Sequence, residues 1–245
     1  MKPLEIIAEI HKLFLQCGDI PSEYVVDGGF FKGNFALDAL SALPSITCIG
    51  FEPNRKLCSD WTSNSSQYST NIVLENLALG SVSGEYPYFV SDAFPATNSL
   101  LPRPVDSPNL VPYFPSDSSL RQESDYVKTI TLDEYFSPSP ISEIFLLKLD
   151  LQGGELDALK GAKTLLESCR ISIIYIEAVF IEKYEKQPLL KDLWDYLAHY
   201  DYRLHSLHDI TLGDYNNTAS LLRASQFNQC DALFLSSKAI SFLGI

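Results

Sequence analysis

The sequence predicts an α/β chain on a doubly wound, mostly parallel sheet, and three observations predict it. Short apolar runs alternate with segments of helical periodicity through residues 4–79 and again through 144–197, the rhythm of right-handed parallel crossovers. I-F-L-L-K-L-D at 144–150 is almost continuously apolar, as in a strand buried on both faces. Two last strand-like runs, 202–207 and 232–235, close the chain without a clear helix between them and are free to pair as an antiparallel hairpin at one sheet edge.

Each element follows from its own pattern. Leu4, Ile6, Ile7, Ile10, Leu13 and Phe14 recur at helical spacing between Pro3 and Gly18 and predict an N-terminal helix within residues 1–20. Y-V-V-D at 24–27 is a first strand ended by an acid, followed by Gly28, Gly29 and Gly33. Phe35, Leu37, Leu40 and Leu43 make a helix stopped by Pro44, and I-T-C-I-G-F-E-P at 46–53 is a second strand. Residues 54–61 read as a helix and I-V-L-E-N-L at 72–77 as a third strand. Nine of the fourteen prolines then fall between 87 and 140. So many helix breakers with so many aromatics predict an ordered excursion over the sheet edge at 80–140, with strands at 86–90 and 126–130, placed to act as a lid or substrate region. Past the 144–150 strand, Gly153-Gly154 leads into a single helix over 156–166, then a strand at 171–177, then a helix opened by Pro188. No repeat or domain boundary shows, so residues 1–245 are expected to form one domain.

Composition narrows the function. Thirty-one acidic against eighteen basic residues give a formal charge of −13, and the basic clusters, Arg55-Lys56 and Lys183 to Lys186, sit beside carboxylates. Nucleic acid and anionic membrane are therefore not expected as partners. Five scattered cysteines without a C-x-x-C pair point to reduced thiols and no metal, and the chain lacks signal-peptide and transmembrane patterns, so a cytoplasmic location is expected.

Four strands end in an acid, Asp27, Glu52, Asp150 and Glu177, and the carboxyl ends of parallel strands are where such sheets bind ligands. Capping explains one such acid; four describe an electronegative cleft for a cationic, hydroxyl-bearing ligand. D-G-G-F-F-K-G at 27–33 fails the dinucleotide fingerprint, with Phe30 at the second glycine position and Asp27 facing a would-be diphosphate. S-adenosylmethionine carries a sulfonium, an ammonium and a ribose diol, and Glu52 is placed to accept from that diol.

At this point the residues resemble a known family. D-G-G-F-F-K-G, F-E-P at 51–53, A-L-G at 78–80, T-L-D-E at 131–134, L-K-L-D-L-Q-G-G-E-L-D-A-L-K-G-A at 147–162 and Y-I-E at 175–177 resemble the FkbM family of S-adenosylmethionine-dependent methyltransferases, over about 24–180. The resemblance implies a Rossmann-like class I methyltransferase fold with seven strands, S-adenosylmethionine as cofactor, and O-methylation of a small-molecule or glycan hydroxyl. Cofactor contacts are then expected from Asp27, Gly28, Gly29, Phe30, Gly33, Glu52, Pro53, Ala78, Leu79 and Asp150, with Asn98 and Ser99 as further cofactor or substrate contacts. Phe30 departs from the small residue usual there, and its ring is expected to crowd the methionine half of the cofactor. A crowded pocket would leave a catalytically silent binding protein, and an amine acceptor suits the rim acids as an alternative to a hydroxyl.

Asp150 is the expected base, beside the methyl group. Lys148, two residues earlier on the same face, is expected to support it by pairing with Asp150 or Glu177. His205, in H-x-x-H with His208, is a second candidate base. Gln152, Glu155 and Glu177 are candidate substrate contacts, and the 80–140 excursion and the 208–230 loop are expected to select the acceptor. A homo-oligomer is compatible with the sequence.

Overall fold

The computed structural model describes residues 2–16, 24–64, 71–91, 95–103, 123–137, 143–212 and 226–244. The first half of the chain runs α1 (Pro3–Gln16), β1 (Tyr24–Gly28), α2 (Asn34–Ala42), β2 (Thr47–Phe51), α3 (Arg55–Asn64), β3 (Ile72–Glu75), β4 (Ala78–Leu79), β5 (Gly84–Val90) and β6 (Glu123–Ile130). It continues with α4 (Leu132–Phe136), β7 (Ile144–Leu149), α5 (Glu155–Lys160), α6 (Lys163–Glu167), β8 (Ile171–Val179), α7 (Leu190–Ala198), β9 (Tyr202–Leu212), β10 (Phe227–Ser236) and α8 (Ser237–Leu243).

Seven strands form one sheet in the order β3-β2-β1-β7-β8-β10-β9. β1 pairs in parallel with β2 on one side and β7 on the other, Val26 lying opposite both Ile49 and Leu147. Strand order therefore reverses at the β1/β7 boundary, and the crevice above the carboxyl ends of these two strands is where a ligand belongs. β10 runs antiparallel to both β8 and β9, the edge hairpin expected from the sequence.

Side chains alternate between two apolar layers, as a strand's period of two requires. Val26, Leu147 and Ile174 pack with Leu159, Leu165, Leu193 and Leu197 of α5, α6 and α7. Their neighbours Val25, Leu146 and Ile173 pack with Ile7, Ile10 and Phe14 of α1, Ala36 and Ala39 of α2, and Ala239 of α8. Each such Val, Leu, Ile or Phe side chain taken fully from water stabilises by about 1.5–3 kcal/mol, which anchors the sheet under the site.

Three local expectations are corrected. The helix expected over 156–166 is two short helices, because Gly161 lies against another loop: a Cβ there would stand 2.1 Å from the Gly80 carbonyl oxygen. Asp133 caps α6 from outside, accepting from the backbone N–H of Thr164 and Leu165 at 2.8 and 3.0 Å. The closing strands do not end the fold, since Ser236 caps α8 by accepting from the Ala239 N–H. The helix expected to open at Pro188 begins at Leu190. The strands expected at 86–90 and 126–130 lie within β5 and β6, which pair antiparallel and, with β4, make a separate three-stranded sheet. Much of the rest of the excursion, with most of the 208–230 loop and Cys17, lies outside the described residues. Among the described residues no helix is long and apolar enough to cross a membrane.

Candidate active site

The loop after β1 builds the floor of the site. Gly29 has φ +80°, and a Cβ on it would stand 1.9 Å from the Asp150 carbonyl oxygen. Only glycine lets the ends of β1 and β7 approach this closely, and the Asp150 N–H donates to the Gly28 carbonyl at 3.0 Å. Phe31 follows at φ +52°, a left-handed conformation unusual for a bulky residue. That turn aims its N–H at Glu52 Oε2, 2.8 Å away, while Glu52 Oε1 accepts from the Asn54 N–H at 2.8 Å. Glu52 is thereby locked at the tip of β2, and burial raises its carboxyl above the usual range despite these hydrogen bonds.

Two cavities open on this floor and meet at Gly29, Phe31 and Asp150. The first, about 680 Å³ to its open mouth, has an apolar shelf of Phe51, Pro53, Ala78, Leu79 and Tyr88, and its charged lining is two carboxylates, Glu52 and Asp150. The second, about 710 Å³, is lined by Asp150, Glu177 and Asp231 with Phe35 and Tyr175, whose rings stack at 6.2 Å. Burial, then the Asp150 charge, raises the Glu177 carboxyl to about 8. Burial likewise raises Asp231, against the hydrogen bond it accepts from the Tyr175 hydroxyl.

The structure brings Gly29, Glu52, Pro53, Ala78, Leu79, Asn98, Asp150 and Gln152 to the first cavity, and Gly29, Phe30, Lys148, Asp150 and Glu177 to the second. Other expectations are corrected. Asp27 is fully buried and lines neither cavity; its carboxylate pairs with Lys148 Nζ at 2.9 Å. Lys148 therefore pairs with its neighbour across the β1/β7 register, and not with Asp150 or Glu177, and it also donates to the Gly29 carbonyl at 2.9 Å. Phe30 does not line the first cavity, and where it borders the second it presents little surface. It is 2% exposed, its ring packed edge-on against Trp61 at 4.8 Å in a recess that Gly33 and Gly50 leave open. Gly28 and Gly33 thus serve close packing.

Ser99 is 1% exposed, its hydroxyl donating to the Gln152 carbonyl, so it braces the cleft wall from behind. Glu155 is buried and accepts from the N–H groups of Leu151 and Gly153, so it shapes the loop and lines neither of these cavities. His205 is exposed on edge strand β9, beside Ser206, outside both cavities. Sequence reasoning missed Phe31, Tyr175, Tyr184 and Asp231. The alternation of a strand was the available signal for Tyr175, two residues before Glu177 and hence on the same face.

The family model described as "Methyltransferase FkbM domain" matches residues 32–204. The chain belongs to the FkbM methyltransferase family. As an FkbM methyltransferase it uses S-adenosylmethionine as cofactor, and the first cavity fits that molecule: an apolar shelf for a purine, an acid at the strand tip for a diol, and no cationic side chain in the lining to attract a phosphate. No curated relative matches it in sequence. Magnesium protoporphyrin IX methyltransferase (ChlM) from Synechocystis PCC 6803, with bound SAM, is similar at TM-score 0.47 and 9% identity, over 96% of this chain and 79% of that one. TrmK from M. capricolum, in complex with S-adenosyl-homocysteine, is similar at 0.47 and 10%, over 97% and 69%. Precorrin-6y C5,15-methyltransferase from Geobacter metallireducens GS-15 is similar at 0.46 and 11%, over 96% and 92%.

Proposed function

We propose that this FkbM methyltransferase methylates a hydroxyl oxygen of a glycan or small metabolite, with the cofactor in the first cavity and the acceptor in the second. The observation that carries the reading is that Asp150 lines both cavities at their junction. S-adenosylmethionine supplies a methyl group on a positively charged sulfur, which two carboxylates and no cation in the cleft lining favour electrostatically. Each Glu52 oxygen keeps a lone pair after accepting its backbone N–H, enough to receive both hydroxyls of a ribose. Asp150 is the group to take the acceptor's proton as the new C–O bond forms, since an alcohol is a poor nucleophile. Glu177 and Asp231 face the acceptor cavity as hydroxyl-binding acids, and most of the rate enhancement is left to positioning.

A second reading, an amine acceptor, is favoured by one observation: three acids, Asp150, Glu177 and Asp231, line the second cavity against two lysines, Lys32 and Lys148, of which Lys148 is paired with Asp27. The silent-protein reading loses its motive, because Phe30 does not line the first cavity and its ring packs against Trp61. The test is transfer of radiolabelled methyl from S-adenosylmethionine onto a panel of sugars, alcohols and amines, with product identification by mass spectrometry. A methyl ether supports the proposal. A methylated amine alone transfers the case to the second reading, and no product from any acceptor counts against both.

A further inference from the structure

Gln152 lines the first cavity beside Asp150, with every side-chain polar atom engaged. Its backbone is left-handed, φ +54°, which turns the side chain back over Asp150. Nε2 donates to Asp150 Oδ1 at 2.8 Å and to Glu177 Oε2 at 3.1 Å. Oε1 lies 3.0 Å from the Tyr184 hydroxyl, which is also 2.9 Å from the Thr97 carbonyl, and the Gln152 carbonyl accepts from Ser99 Oγ at 2.7 Å.

The neighbours decide which way the amide points. An ionised carboxylate only accepts, so with Asp150 and Glu177 ionised the NH2 faces both, and the one Tyr184 proton is shared between Oε1 and the Thr97 carbonyl. One glutamine thus joins a residue of the donor cleft, a residue of the acceptor cavity and the 97–101 segment of the cleft wall.

We propose that Gln152 is a positioning residue: its amide holds Asp150 and Glu177 in one mutual orientation where donor and acceptor meet, and ties both to the segment carrying Ser99. The inference rests on the assignment of the two cavities under Proposed function. It goes further in giving Gln152 a role toward the two acids, in place of the substrate contact expected from the sequence. A hydrogen bond donated to a carboxylate favours its ionised form. Gln152 therefore opposes the burial that pushes Glu177 up, and Gln229 Nε2 does the same from β10, donating to Glu177 Oε1 at 3.1 Å. The other charges facing Glu177 are Asp150 and Lys148 on the β7 side, Glu155 at the start of α5, Lys183 after β8 and Asp231 on β10.

The test is a carbon-13 NMR titration of the Glu177 carboxyl in the full chain and in two variants. Gln152→Glu keeps side-chain length and replaces the donor by a third acid; Gln152→Ala removes the amide. The expected result is a Glu177 midpoint higher by about one pH unit in Gln152→Ala and by more in Gln152→Glu. A Glu177 midpoint equal to the parent's in both variants overturns the proposal. The titration needs neither donor nor acceptor, so its failure is distinguishable from failure of the methyl-transfer reading, which the acceptor panel and S-adenosylhomocysteine binding test in the parent. A purely structural bracing role would lower stability without moving this midpoint.

Discussion

Asp27 on β1 and Lys148 on β7 lie opposite each other in the parallel register and form an ion pair at 2.9 Å, with Asp27 fully enclosed. Burial works to lower Lys148, but Asp27 and then Asp150 outweigh it and hold the ammonium above its ordinary value. The pair sits directly beneath the loop that carries Gly29 and fixes it through the Gly29 carbonyl. Removing one member leaves a charge buried without compensation. Lys148→Met is expected to destabilise by about 3–5 kcal/mol in urea denaturation, with Asp27→Asn/Lys148→Met recovering much of the loss. A single variant as stable as the parent would contradict this placement.

Glu52 is held by two backbone N–H groups at the tip of β2 and lines the first cavity, the proposed donor cleft. Glu52→Ala is expected to weaken S-adenosylhomocysteine binding about 10- to 100-fold, the worth of hydrogen bonds to a charged group. Calorimetry measures it directly; unchanged affinity would remove Glu52 from the site.

Phe30 fills the recess left by Gly33 and Gly50. Phe30→Ala is therefore expected to act as a core truncation, costing about 3–5 kcal/mol, and to leave cofactor affinity within about threefold of the parent's. Denaturation and calorimetry on one preparation read both. A large gain in affinity would mean that the ring obstructs the cleft after all.

Burial pushes the Glu155 carboxyl up to about 7 from an ordinary 4.5, its backbone hydrogen bonds only partly opposing this. With the folded value above the unfolded one, the folded state holds the extra proton, so this group's contribution is full below pH 4.5 and is lost as pH rises through 7. Between those limits Glu155→Gln is expected to gain about 2–3 kcal/mol relative to the parent, as a difference between two denaturation series. A difference independent of pH would contradict the assignment.

The parallel core was legible because its strands are apolar runs with acids at their tips, and Glu52 followed from that pattern alone. The partner of Lys148 was not. Spacing along β7 ranks Asp150 as the neighbour, whereas the register between β1 and β7, 121 residues apart at Asp27 and Lys148, supplies Asp27. Adjacent Phe30 and Phe31 are alike as residue types, and a left-handed turn at Phe31, with the space left by Gly50 on the next strand, decides which ring turns into the core. Tyr184 was missed because it follows β8 in irregular backbone, where no periodicity marks what it faces. α8 was missed although Ser236 is an N-cap signal, because the preceding strand reads straight into its apolar residues.

The central claim is that the cleft above β1, β2 and β7 is a methyl-donor site read by Glu52. Isothermal calorimetry of the parent and of Glu52→Ala with S-adenosylhomocysteine, using NADH as the competing ligand, tests it most directly. The expected result is one saturable site for S-adenosylhomocysteine in the parent, weakened in Glu52→Ala, and no heat from NADH. No binding of S-adenosylhomocysteine at millimolar concentration, or NADH binding that depends on Glu52, would contradict the account.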